Sequence, residues 1–409
     1  MKIGIRIGNW SPEEGGRFTF QDEILKAFIQ YSCGSNHQFI IIGLQKTPPI
    51  DINSFSNLEY ASLYWSGKHH HRIFEKLKFW LEKFVAKLDQ SYRMSTKNPY
   101  FEEIAEDYQV DLMWFLSASY PPQDIPYVTT VWDLQHRLQP FFPEVSANGV
   151  WESREQSLRE LLQRAAYIVV GTKIGKREVE TFFQVSPERI KILPFPTPKF
   201  VNVPDVSLDT SVLEKYKIPP KFLFYPAQFW PHKNHVNLLL ALQHLKNQFG
   251  LDLPIVFTGG DQGNRAHVEK TAQDLDLLRQ VHFLGFVSQD ELVALYRQAF
   301  ALTFVTFFGP DNLPPLEAFA LGCPVIASKV SGAEEQLEDA ALLVDPQHPE
   351  QIATGIKQLW DSPALREQLI NQGYERSQQW SVEDYVKALF AIFDEFETIR
   401  RSWGRSTSL

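Results

Sequence analysis

The chain has 409 residues, which at roughly 100–200 residues per domain sets two or three domains and excludes a single small module. Hydrophobic residues make up 44% and charged residues 22%, ordinary globular proportions that exclude disorder, collagen and coiled coil as whole-chain readings. The balance of 40 Lys and Arg against 49 Asp and Glu, net −9, argues against a chain that neutralises nucleic-acid phosphates, so no nucleic-acid partner is expected.

In chain order, Lys2 to Gly8 is a short apolar run ending in a turn, and Phe39 to Gly43, Asp111 to Leu116, Tyr127 to Val131 and Ala166 to Gly171 are further runs of strand length. Helical patterns separate them, which implies parallel βαβ units with helices on both faces of a buried sheet. Proline then removes backbone donors throughout Leu193 to Pro204, which reads as a domain linker. The alternation restarts with strands at Phe222–Pro226, Ile255–Gly259, Val281–Gly285, Ala301–Phe304 and Pro324–Ala327, closing at Ala341–Val344. Helices are expected from about Asn234 and Asn264, and a last one over Val382–Arg400 that could return to the first half. The expected division is 1–200, 201–380 and a terminal helix in 381–409. Two doubly wound halves facing each other make a cleft, and ligands in such sheets bind beyond the carboxyl ends of the strands.

Two cysteines, Cys33 and Cys323, cannot build a disulfide framework or a four-ligand zinc site and suit a reducing compartment. No signal-like leader opens the chain, and no run reaches the roughly 18 apolar residues of a membrane span. The expected location is cytoplasmic, either free or peripheral on the inner membrane face.

Chemistry concentrates in three places. Phe308 to Val325 reads FGPDNLPPLEAFALGCPV: a loop of Gly309, Pro310, Asp311 and Asn312 enters a helix at Leu313, with Glu317 near its start. Such a helix start offers backbone N–H groups and a positive dipole end to an anion or sugar hydroxyls. Glu317 could accept two vicinal hydroxyls, as of a ribose, or only complement the dipole. Tyr225 to His235, YPAQFWPHKNH, puts Lys233 beside the next helix start, where a compact ammonium suits a phosphate; the alternative is a solvated surface lysine. Glycine turns follow two more strands, at Gly259–Gly263 and at Gly285 before Phe286. In the first half, Gly15 and Gly16 follow the first strand, and Val131-Trp132-Asp133-Leu134-Gln135-His136 follows another.

Residues 222 to 360 resemble the nucleotide-sugar-binding half of the retaining glycosyltransferases of family four, carried by HKNH, IVFTGG, VHFLGFVSQDELVALYRQA, NLPPLEAFALGCPVIAS and EEQLEDAALLVDP in the family's order. The resemblance implies an α/β GT-B fold, two Rossmann-like parallel-sheet domains facing across a cleft. It implies a metal-independent enzyme with no cofactor, using a nucleotide diphosphate sugar as co-substrate and a glycan or glycolipid as acceptor. Lys233 would bind the diphosphate, Glu317 the ribose, and Phe286 would lie near the base. Gly15, Gly16, Gln228, His232, Gly259, Gly309, Pro310, Asn312 and Leu313 complete the expected donor site; His136, Lys233 and Asp311 are the expected catalytic residues.

Two departures stand out in the second half and one in the first. Gly309 occupies the position of a usual glutamate eight residues before Glu317, leaving Asp311 and Asn312 to hold the sugar's hydroxyls. Gln228 stands where an arginine usually assists the lysine, with His232 as a substitute. Trp132 also replaces a usual histidine, which makes His136 the expected polar contact to the reacting sugar, though an ordinary loop histidine would read the same. A sugar-nucleotide 2-epimerase and a non-catalytic sugar-nucleotide binding module remain alternative readings, and a dinucleotide oxidoreductase is weakened by the missing G-x-G-x-x-G.

Lys68 to Leu88 repeats apolar residues at helical spacing, with six basic against two acidic residues on the rest of the segment. That suits either an interfacial helix on an anionic membrane or a helix packed on its own sheet. The adjacent His69, His70 and His71 do not share a helix face and read as a solvated turn.

Overall fold

A computed structural model describes residues 1–8, 15–63, 99–116, 123–201 and 211–404. The segment 68–88 and its histidines lie outside the described residues.

Seven strands form the first sheet: β1 (Lys2–Arg6), β2 (Gln38–Gly43), β3 (Leu58–Ser62), β4 (Leu112–Phe115), β5 (Tyr127–Val131), β6 (Tyr167–Val170) and β7 (Ile190–Ile192). Their order is β3-β2-β1-β4-β5-β6-β7, and every pairing is parallel. Successive side chains alternate between two cores. Ile3, Ile5, Phe39, Ile41, Leu112 and Trp114 face one side; Ile40, Ile42, Met113 and Phe115 face the other. Helices cover both sides, which is why these strands read as continuous apolar runs rather than alternating ones.

The second sheet holds β8 (Leu223–Pro226), β9 (Ile255–Thr258), β10 (Val281–Gly285), β11 (Ala301–Phe304), β12 (Val325–Ser328) and β13 (Ala341–Val344), in the order β10-β9-β8-β11-β12-β13, again all parallel. The strands expected from the sequence are all found within two residues of their expected ends. Two strands were not expected: β3, an edge strand interrupted by exposed Glu59, and β7, only three residues long. Neither offers an apolar run long enough to separate from loop.

The order of each sheet reverses at one point, β1/β4 in the first and β8/β11 in the second. Crevices open beyond the carboxyl ends of strands at such points. The segments leaving β1, β8 and β11 therefore face the cleft, and these carry Gly15–Gly16, Ala227–Lys233 and Val305–Asn312.

The chain crosses between sheets at Leu193–Val201 and returns at Trp380, whose indole N–H donates to the Pro194 carbonyl at 2.9 Å. The terminal helix Val382–Arg400 then packs on the first sheet: Val386, Leu389 and Phe393 join the core of Ile24, Phe28 and Trp114. The Phe28 and Phe390 rings lie 5.1 Å apart, and Arg400 pairs with Asp111 at 2.9 Å. Among the described residues, no helix is long and apolar enough to cross a membrane.

Candidate functional site

Lys233 ends a single turn, Pro231–Lys233, between β8 and the helix His235–Phe249. Asn234 holds this turn in place from φ 60°, with its amide donating to the carbonyls of Val305 and Pro346 at 2.8 Å each. The Tyr225 hydroxyl donates to the Lys233 carbonyl at 2.5 Å. The ammonium lies 5.4 Å from the centre of the Phe304 ring and, among the described residues, has no carboxylate at ion-pair distance. Burial pushes its pKa down to about 8, against the opposing fields of Asp133 and Glu144. A desolvated cation without a counter-ion gains most when an anion arrives.

Beneath it, His235 is fully buried and stacked on Phe229, centroids 4.5 Å apart. Among the described residues, neither ring nitrogen makes a well-formed hydrogen bond. Burial and, secondarily, the nearby Lys233 push its pKa to about 3. It is therefore a neutral ring in an aromatic floor.

Glu317 lies on the helix Leu313–Ala320, buried, with Oε2 accepting from the Tyr296 hydroxyl at 2.7 Å. Burial raises its pKa to about 7, and the Tyr296 bond holds it from rising further. The expected cradle of helix-start N–H groups is smaller than the sequence implied. Pro314 and Pro315 have no N–H, and the Asn312 N–H is taken by Gln336 Oε1 at 3.0 Å. The Leu313 N–H and the dipole remain.

Gly309 has φ +143°, and a Cβ there would sit 2.4 Å from Asn312 Oδ1. The glutamate usual at this position would thus be strained by the backbone and would require the Asn312 side chain to move. Asn312 folds back, its amide donating to the Gly309 carbonyl at 2.7 Å. Pro310 packs against Gly332, whose own Cβ would meet the Pro310 carbonyl at 2.3 Å.

Asp311 corrects an expectation. Its Oδ2 accepts from the Phe195 N–H at 2.8 Å and its Oδ1 from Gln336 at 2.6 Å. Each oxygen accepts one bond, from the linker and from its own domain, so in this conformation Asp311 ties the linker to the second domain, a role the sequence did not show. Burial raises its pKa to about 7.

His136 is a second correction. Its side chain is 0% exposed and bonded to Glu155 at 3.3 Å, and burial lowers its pKa. The short helix Gln135–Leu138 turns it into the first domain, so it does not face a sugar in the cleft. Trp132 and Asp133 line the cleft instead. Although burial raises the Asp133 pKa, Arg154 at 2.8 Å and the Gln135 N–H at 2.9 Å outweigh it and hold the carboxylate ionised.

His232 is a third. Its backbone N–H and Nδ1 both meet Glu144 Oε1, at 3.1 and 2.6 Å, so it bridges the domains rather than assisting Lys233 against a diphosphate. Gln139 and Phe142 reinforce this bridge, Gln139 by donating to the Phe307 carbonyl at 2.9 Å and Phe142 by packing on the Phe307 ring.

The remaining expected residues meet at the cleft. A Cβ on Gly15, at φ +65°, would lie 3.5 Å from Gln228 Nε2, and one on Gly16 3.9 Å from Leu313 Cδ1. The glycine pair of the first domain thus faces the donor-side loops directly. Gly259 acts from below: at φ +128° it lets β9 approach the Ala227 carbonyl to a distance no side chain tolerates. Phe286 is 62% exposed beyond the Gly285 turn, an open aromatic face.

Sequence reasoning passed over Tyr296, Glu144 and Glu178. Tyr296 stood in the quoted DELVALYRQA segment, but only the fold shows it reaching Glu317. Three possible metal-ligating atoms, from His37, Asp394 and Glu397, come within 4.8 Å of one another. They lie near the amino-terminal end of β2, opposite the cleft.

Residues 212–376, about two fifths of the chain, match the family model of Glycosyl transferases group 1. The chain is 26% identical over 235 residues to the O-antigen chain mannosyltransferase B of Escherichia coli, covering 56% of this chain and 61% of that one. It is 26% identical over 171 residues to a D-inositol 3-phosphate glycosyltransferase of Corynebacterium urealyticum, 40% of each. The chain therefore spans about two fifths to three fifths of the length of these relatives. Among solved structures, a sucrose-phosphate synthase of Thermosynechococcus elongatus superposes with TM-score 0.72 at 17% identity, over 97% of this chain and 99% of that one. Anabaena HepE in complex with UDP gives 0.68 at 14%, over 97% and 100%. The fold is GT-B.

Proposed function

We propose that the protein is a retaining glycosyltransferase that moves a sugar from a nucleotide diphosphate sugar to a hydroxyl acceptor in polysaccharide or glycolipid assembly. The observation that carries this reading is the desolvated Lys233 ammonium, lacking a counter-ion among the described residues, at the strand-order reversal of the half that matches Glycosyl transferases group 1. The mannosyltransferase named above and the UDP complex of HepE support a sugar nucleotide as the anion.

In this reading Lys233 neutralises the diphosphate, helped by the Leu313 N–H and the helix dipole, and Glu317 accepts the ribose hydroxyls through the oxygen that Tyr296 leaves free. Phe286 offers its face to the base. The bond from the sugar's anomeric carbon to the diphosphate breaks, and the acceptor oxygen bonds to that carbon from the same face. The acceptor's proton passes to the departing phosphate oxygen. No strong protein base is needed, which agrees with a buried His136. The protein's work is positioning and stabilising the charge that develops on the leaving group. Gly15 and Gly16 let the first domain's backbone approach that group closely.

Calorimetric titration with UDP, GDP and ADP tests this on the native chain and on Lys233→Ala and Glu317→Ala. Saturable binding of one nucleotide, weakened by both changes in folded protein, is expected. Absence of binding to all three at millimolar concentration would overturn the donor site. Nucleotide binding with neither transfer nor hydrolysis of any donor would instead favour the binding-module reading that Gly309 keeps open, and conversion of a donor without acceptor would favour the epimerase.

A further inference from the structure

Beside the Asp311 loop, on the first-domain side of the cleft, a notch of about 10 Å³ is lined by Trp132, Asp133, Thr172, Glu178, Pro310 and Asp311. That is room for roughly one water-sized group. Its walls come from both domains: the exits of β5 and β6, the helix Lys173–Phe183, and the loop ahead of the Glu317 helix.

Its polar groups divide into spent and unspent. Asp133 is held by Arg154 and Asp311 by Phe195 and Gln336. Thr172 accepts from the Gly175 N–H to start its helix. Glu178 takes no hydrogen bond or ion pair among the described residues, and its oxygens are not sealed from solvent. Trp132 has its indole N–H buried without a partner among the described residues. The wall thus offers one unspent acceptor, the Glu178 carboxylate, and a hydroxyl is a donor that satisfies it. Among the described residues, no lysine or arginine lines the notch, while three carboxylates do.

Resting on the transferase reading, we propose that Glu178 is an acceptor-binding residue, seating one hydroxyl of the acceptor against Trp132, and that the acceptor is an uncharged sugar at that end. The ionised Asp133, together with the ionised fractions of Asp311 and Glu178, disfavours an anionic group there, whether phosphate or uronate. Burial and the neighbouring Asp133 raise the Glu178 pKa to about 7, against Arg177 on its own helix. Asp311 faces it from the other domain. At neutral pH the carboxyl therefore accepts from a hydroxyl when ionised and can donate when protonated.

The test uses the full chain, Glu178→Ala and Glu178→Gln, with the donor found by nucleotide titration and a panel of methyl glycosides, each neutral sugar beside its 6-phosphate and its uronate. The native protein is expected to transfer to neutral glycosides in preference to the anionic ones. Glu178→Ala should raise the acceptor KM roughly 10-fold or more, with nucleotide affinity and acceptor-free donor hydrolysis unchanged; Glu178→Gln should retain neutral acceptors and narrow the discrimination against anionic ones. An acceptor KM equal in native protein and Glu178→Ala overturns the assignment, as does parallel loss of nucleotide binding and melting temperature in both variants, which marks a structural role. Failure of the native protein to bind any nucleotide overturns the transferase reading and this inference with it, a result separable from the first two because they require intact donor binding.

Discussion

If Glu317 must be ionised to accept ribose hydroxyls, nucleotide affinity carries its titration. Its pKa of about 7 makes it about 90% ionised at pH 8 and about 10% at pH 6, so affinity falls about 10-fold between them, or about 1.4 kcal/mol. Affinity is present above the pKa and lost below it. Glu317→Gln keeps the shape and still accepts from Tyr296, whose buried hydroxyl is thereby not orphaned, but it has no proton to gain. Calorimetry with the cognate nucleotide at pH 6 and pH 8 on both proteins isolates the step, because titration of the nucleotide's own phosphates and of Asp311 and Glu178 is common to both. The native protein should lose about ten times more affinity than the variant. Tyr296→Phe removes the bond that holds the pKa down, so its affinity should fall away at higher pH than the native protein's. Equal pH ratios in the native protein and Glu317→Gln would refute the argument, since the carboxylate's charge would then play no part in binding.

Three further outcomes follow from the geometry. His235 is depressed to about 3 from an ordinary value near 6.5, so the unfolded state binds the extra proton and stability falls as pH drops from 6.5 towards 3; between pH 8 and pH 4.5 the loss is about 2.7 kcal/mol. His235→Phe should lack that component in urea unfolding at the two pH values, and parallel curves would count against a buried neutral ring. Gly309→Glu, which writes in the glutamate common in the resembling family, should destabilise by about 1–3 kcal/mol through its positive φ and the Asn312 contact, lowering the melting temperature; a gain in donor affinity would show that the loop can rearrange. Glu144→Ala removes both bonds to His232 across the cleft, at a cost of about 1–3 kcal/mol, and should enlarge the radius of gyration in small-angle scattering. An unchanged radius would mean that Asp311 and Gln139, with Glu335, which accepts from the Lys173 N–H at 2.9 Å, hold the domains without it.

Much of this was legible because it is local. Apolar runs fully buried between helix layers announce parallel strands, and each expected one is present; β3 and β7, an interrupted edge strand and a three-residue strand, were not, because edges bury too little to leave a pattern. The donor-side motifs were likewise legible, since a strand exit and the helix start after it lie within a dozen residues of each other. Lys233, Gln228, Leu313 and Glu317 fall where those turns put them.

What the sequence could not decide is which of these polar groups would be spent on protein partners. Asp311 read as a sugar ligand until the linker's Phe195 N–H took its carboxylate. His232 read as help for Lys233, and Glu144, 88 positions away, claimed it. His136 followed a strand correctly but was turned inward onto Glu155. Glu178 carried no sequence signal, because a glutamate on a helix is ordinary until the fold leaves it unpartnered in a cleft. Periodicity and turn chemistry act between near neighbours, so the sequence by itself determined the two sheets and the donor-side loops. Hydrogen-bond competition acts between any groups the fold brings together, so only the tertiary structure decided which side chains remain available for a substrate.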